Sequence, residues 1–138
     1  MFNQLLLAMD SSDHSKRALG EAKELAKLSG ANVRVLHVRD ATSSGRGGPV
    51  WHEGQEEAAA LVDETVSELQ AAGIESSGVV RDSMIGATAR EILDEAQQCQ
   101  ASLIVMGSRG HSEFTDLVIG SVAHKVLNHG SLPVLIIR

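Results

Sequence analysis

Leu103-Ile104-Val105-Met106-Gly107-Ser108-Arg109-Gly110, joined after nine intervening residues by Gly120-Ser121, is the stretch that decides the fold. The four apolar residues run without interruption, as in a strand buried on both faces. Beyond the glycines, Ile119, Val122, Ala123, Val126 and Leu127 fall on one stripe of a helix. The chain therefore leaves a buried strand, turns on glycine, loops, and re-enters the fold at a helix start. Main-chain N–H groups in such a turn and at a helix N-terminus attract anions, phosphate above all.

Working outward, the same unit recurs. Leu5 to Ala8 is a second continuous apolar run and ends at Met9-Asp10-Ser11-Ser12-Asp13, a cluster rich in helix-capping residues. A helix follows, with Ala18, Leu19, Ala22, Leu25 and Ala26 on one face and Gly30 as its stop. Val33, Val35, Leu36 and Val38 mark the second strand. Residues 39 to about 54 include Ser43-Ser44-Gly45-Arg46-Gly47-Gly48-Pro49 and read as one long connection, a lid or a disordered span. The next helix carries Ala58, Leu61, Val62, Thr65, Val66 and Leu69, and Gly73 closes it.

Ile74 to Arg81 is a weak third strand, diluted by Ser76, Ser77 and Gly78, which suits an edge. Thr88-Ala89-Arg90-Glu91 has the capping-box pattern and opens a helix with Ala89, Ile92, Leu93 and Ala96 on its stripe. After the glycine stretch, the fourth helix ends near Asn128-His129-Gly130, and Pro133 to Ile137 forms the last strand. Strict alternation of strand and helix predicts an α/β fold: a single doubly wound domain over residues 1–138, with two helices on each face. Its five-stranded parallel sheet has the order 3-2-1-4-5. That order reverses between strands 1 and 4, and ligands bind in the crevice at such a reversal. Strand 1 delivers Asp10 to the crevice and strand 4 delivers Gly107.

Composition narrows the partners. The 138 residues carry a formal net charge of -6, and Phe2, Trp51 and Phe114 are the aromatic residues. That excludes the positive field and the stacking platforms of a nucleic-acid binder. Cys99 is the single cysteine, so neither an intrachain disulfide nor a thiolate zinc site is expected, as in a reducing compartment. Neither a signal peptide nor a membrane span is legible, and the expected location is the cytoplasm.

The glycine pattern Gly-x2-Gly-x9-Gly-Ser differs from the Walker sequence and from Gly-x-Gly-x-x-Gly, neither of which occurs. Gly107, Gly110 or Gly120 alone would read as a turn; the three together, after a buried strand, read as phosphate binding. A carboxylate repels phosphate and accepts from ribose hydroxyls, so Asp10 belongs at the sugar end, unless it only caps a helix. Arg109 fits phosphate oxygens or a solvated surface equally. His14, His37, His52, His111, His124 and His129 lack metal-binding spacing; His37 reads as satisfied within its strand, and His124 and His129 as exposed. Glu53, Glu56 and Glu57 read as a solvated helix start. With no Walker lysine and no clear base, any ATP hydrolysis is expected to be slow, and the protein to bind rather than turn over.

The sequence resembles the universal stress protein family over its whole length. The resemblance is carried by Leu6-Leu7-Ala8-Met9-Asp10-Ser11-Ser12, Leu36-His37-Val38, Leu103 to Ser112, Gly120-Ser121-Val122-Ala123 and Pro133-Val134-Leu135-Ile136. The glycine spacing is that of the family's ATP-binding branch. The resemblance implies a Rossmann-like fold of the adenine nucleotide alpha hydrolase type. It implies ATP, with magnesium, as the ligand. Asp10 would lie beside ribose or adenine, the Val38 main chain at the adenine, and Ala8 in the base pocket, where the family often carries proline. Met106, Gly107, Ser108, Arg109, Gly110 and His111, with Gly120, Ser121 and Val122, would hold the phosphates. It also implies a homodimer through Val134 to Ile137. The alternatives are a slow ATPase, a binder of AMP or cyclic AMP in the same pocket, and a structural dimer with an empty loop.

Overall fold

In the computed structural model, which describes residues 2–109 and 119–138, the three leucines of β1 (Gln4–Ala8) are wholly buried. Burying each is worth about 1.5–3 kcal/mol, and no position satisfies all three except the centre of a sheet covered on both sides. β1 there pairs in parallel with β2 (Asn32–Ser43) on one side and β5 (Leu103–Gly107) on the other. β4 (Ser76–Met84) adds in parallel to β2, and β6 (Val134–Ile137) to β5. The parallel order is thus β4-β2-β1-β5-β6, which is the expected 3-2-1-4-5 once the strands are renumbered.

Alternate residues of each strand divide the core. Leu5, Leu7, Val33, Val35, Leu103 and Val105 face α1 (Asp13–Ser29) and α2 (Gln55–Ala71). Leu6, Leu36, Ile104 and Met106 face α3 (Thr88–Gln98) and α4 (Ser121–His129). Two helices on each face is therefore correct. α1 ends as expected at Gly30, whose φ of 73° is the left-handed conformation glycine adopts without cost.

Three expectations need correction. Residues 39–54 are not one long connection. β2 runs on to Ser43, a 3-10 turn covers Gly45–Gly47, and β3 (Pro49–Trp51) returns antiparallel against Ala41 to Ser43. The sheet therefore has six strands and is mixed rather than wholly parallel. The turn glycines that look like disorder in sequence supply the positive φ of a hairpin turn, at Gly45 and Gly48. Trp51 then stacks on the Arg39 guanidinium at 4.0 Å, and Arg39 forks onto both oxygens of Asp82 at 2.8 and 2.9 Å, holding that carboxyl below the usual range.

The capping box at Thr88 does not form. Thr88 is already the first helical residue, its hydroxyl goes to Asp40 Oδ1 at 2.9 Å, and Glu91 accepts from Arg81 Nε at 2.6 Å. Tertiary partners outbid the local ones. The third strand also starts two residues later and ends three residues later than read, and its glycine is a packing device. A Cβ on Gly78 would sit 2.2 Å from Val62 Cγ1, so glycine lets α2 lie close on β4.

α3 is held to the sheet by charge as well as by Ile92 and Ala96. Glu95, only 3 % exposed, accepts from Arg34 Nε on β2 and from Arg81 Nη1 on β4, both at 3.0 Å.

Candidate functional site

Where the strand order reverses, between β1 and β5, the C-terminal ends of β2, β1 and β5 open into a cavity of about 540 Å³. Consecutive carbonyls of a strand point to opposite edges. The Ala41 carbonyl accepts from Ile85 on the β4 side, while the Asp40 carbonyl accepts from His52 N–H at 3.2 Å. β3 therefore lies on the β1 side of β2, in the lane β1 vacates at Ala8. The segment that follows it, His52 and Glu53, forms a wall of the cavity.

Of the residues expected at the site, Ala8, Asp10, Val38, Met106, Gly107, Ser108, Arg109 and Val122 line this cavity. Gly120 and Ser121 do not line it. Gly120 is the N-cap of α4, has no side chain to cap it, and donates its N–H to the Ser108 carbonyl at 2.6 Å. Ser121 is the first residue of that helix. Gly110 and His111 lie outside the described residues.

Asp10 does not cap α1. Ser12 does, accepting from Ser15 N–H at 3.2 Å, while one Asp10 oxygen accepts from Ser12 N–H at 2.8 Å. That bond fixes the Asp10 carboxylate at the mouth of the first turn of α1. Gly107 serves packing. An added Cβ would lie 2.8 Å from the Cβ of His14 and 3.0 Å from its carbonyl carbon, so glycine lets the start of α1 seat against the end of β5.

The β5 end of the cavity holds an unusual group. Ser108 is 2 % exposed, yet its hydroxyl has no hydrogen-bond partner among the described residues. Leaving such a group unpaired costs about 1–3 kcal/mol. It stands beside an α4 N-terminus whose cap has no side chain, and such an end favours negative charge.

The opposite end was missed from sequence. Asp40, His52, Glu53, Glu57, Thr88 and Ile85 all line the cavity. No binding motif marks them, because the far end of β2, the β3–α2 junction and the β4–α3 junction meet there only through tertiary pairing. Burial pushes the Asp40 carboxyl up, opposed by its bond from Thr88. His37 is satisfied, as expected. Its Nδ1 donates to the Met9 carbonyl at 2.7 Å and its Nε2 faces the Glu53 carboxylate. That contact ties Glu53, beyond β3, to His37 on β2. Glu53 is therefore a tether for the β3–α2 junction and not part of a solvated helix start. His124 and His129 are exposed.

The site thus carries a gradient across three strands, each about 4.8 Å from the next. Carboxylates of Asp40 and Glu53 stand at the β2 end and Asp10 at β1; Ser108, Arg109 and the α4 N-terminus stand at β5. Such a cavity suits a molecule with hydrogen-bond donors at one end and an anion at the other.

A family model described as the universal stress protein family matches residues 1–138. The chain belongs to the universal stress protein family. A curated relative, a universal stress protein of Bacillus subtilis, is 36 % identical over 151 aligned residues, with both chains covered completely. A universal stress protein structure from Archaeoglobus fulgidus is 29 % identical with a TM-score of 0.75, covering 100 % of this chain and 95 % of that one. An Archaeoglobus fulgidus universal stress protein in complex with dAMP is 26 % identical with a TM-score of 0.69, covering 100 % and 98 %. No helix among the described residues of this universal stress protein is long and apolar enough to cross a membrane.

Proposed function

We propose that this universal stress protein binds an adenine nucleotide, ATP in the first place, in the cavity over β2, β1 and β5. It would serve a regulatory role rather than turnover. The observation that carries the proposal is the buried, partnerless Ser108 hydroxyl beside the N-terminus of α4. A phosphate oxygen there would satisfy the hydroxyl and complement the helix end. Arg109 would add charge, and Asp10 at the middle strand would meet the ribose. The base would lie toward Val38 and Asp40. The dAMP complex of the Archaeoglobus relative supports an adenine ligand. Magnesium would ride on the phosphate oxygens, as it usually does with such ligands.

Ser108→Ala tests this, because its two effects have opposite sign. Removing an unpaired buried hydroxyl should leave the free protein at least as stable as the wild type. It should also weaken ATP binding about tenfold by calorimetry, the loss of one hydrogen bond to a charged group. Gly120→Val should also weaken binding, since it replaces the cap of the helix end that the anion would complement with a residue that caps poorly. The same titration with AMP, ADP and cyclic AMP ranks the alternatives. No heat with any of them, with or without magnesium, refutes the proposal.

We propose a homodimer as well. β6 pairs with β5 on one side, and all four of its residues, Val134 to Ile137, are half-exposed. An apolar edge of this kind recruits a second strand. Light scattering at micromolar concentration should give twice 14.6 kDa; a monomer mass would reject this contact.

A further inference from the structure

We propose that Asp40 selects the base, by accepting a hydrogen bond from the exocyclic amino group of the purine. The inference rests on the nucleotide reading above and concerns a residue outside the glycine motif. Asp40 lines the cavity from β2, on the same sheet face as Leu36 and Val38, two residues beyond the position expected at the base. Its carboxylate is held in place: the Thr88 hydroxyl donates to Oδ1 at 2.9 Å from the first turn of α3. Among the described residues that is its hydrogen-bond partner, and Oδ2 has none.

Among the described residues no charged group hydrogen-bonds Oδ2; the His37 and His52 imidazoles act on the carboxylate only through space. Arg39, the adjacent cation, is committed to Asp82 and to Trp51. The Glu53 carboxylate stands nearby and is tied to His37; His52 offers its main-chain N–H to the Asp40 carbonyl, not to the carboxylate. An ionised carboxylate is acceptor-only. It therefore favours a ligand edge that presents N–H, such as the 6-amino group of adenine. It repels a 6-keto oxygen, whose lone pairs would face its own.

The discriminating ligands are ATP and inosine triphosphate, which differ at the base edge, with the triphosphate left constant. By calorimetry the wild type should bind ATP about tenfold tighter than inosine triphosphate, as expected when a hydrogen bond is replaced by a repulsion between acceptors. Asp40→Asn keeps an acceptor for Thr88 and can turn an amide N–H to a keto oxygen. The ratio should then fall to within about threefold, mostly through tighter binding of inosine triphosphate. Where that variant does not fold, Thr88→Val is read instead: losing the hydroxyl that fixes the carboxylate should also narrow the ratio. A wild type that binds both ligands equally, or a ratio that the variant leaves unchanged, overturns the role of Asp40 and leaves the nucleotide site standing. Binding of neither triphosphate overturns both.

Discussion

Replacing Arg34 and Arg81 together by methionine is expected to cost this protein about 3–5 kcal/mol, the loss seen when a buried charge is stripped of its partners. The two guanidiniums hold Glu95 from two different strands, and the carboxylate is nearly sealed from water. With both gone, a negative charge remains in an apolar setting against Ile92 and Ala96. Adding Glu95→Leu to the double variant should recover most of the loss, because the buried charge, not the missing attraction, is the main penalty. Denaturant titration of the three proteins decides it. A triple variant no more stable than the double would show that the arginines act by packing of their own stems.

Gly107→Val should cost about 3 kcal/mol before any ligand is added, the upper part of the range for a forced insertion into a packed interior. The atoms in the way are the Cβ and main chain of His14, which no rotamer change can move. The first turn of α1 would have to lift from β5, taking Asp10 and its Ser12 bond out of position. Trimming His14 to alanine should not rescue the variant, since the clashing atoms remain. Melting temperature read without nucleotide is the discriminating measurement. A variant that melts like the wild type but fails to bind would return Gly107 to a phosphate-contacting role.

The parallel core was legible because its signals are local: uninterrupted Leu5-Leu6-Leu7 and Leu103 to Met106, and helical stripes such as Ala18, Leu19, Ala22 and Ala26. The reversal in strand order followed from the weakness of the third strand, and it put Asp10 and Gly107 at one crevice; Ser108 and Val122 came from the family resemblance, and both line the same cavity. What was not legible depends on partners distant in sequence. Ser43 to Pro49 has the composition of a loose loop, and only pairing of Pro49 to Trp51 with the extended end of β2 makes it a hairpin. Thr88 and Glu91 have capping spacing, but Asp40 and Arg81 compete for them and win. The acidic wall of the cavity went unseen for the same reason. The motif read Gly107 as room for phosphate, and the structure shows room there for a helix.

The pairing of β1 carries a consequence for how the chain is made. Leu5 to Ala8 meet Leu103 to Met106, so the central strand gains its second neighbour only after the chain has run on as far as Met106. Until then one edge of the strand that carries Leu5, Leu6 and Leu7 is open to other chains. Closing a loop of that length before the contacts reward it makes for slow acquisition of the native state. A chain cut short before Leu103 would carry an unpaired hydrophobic rim, the kind of species that aggregates or requires a chaperone.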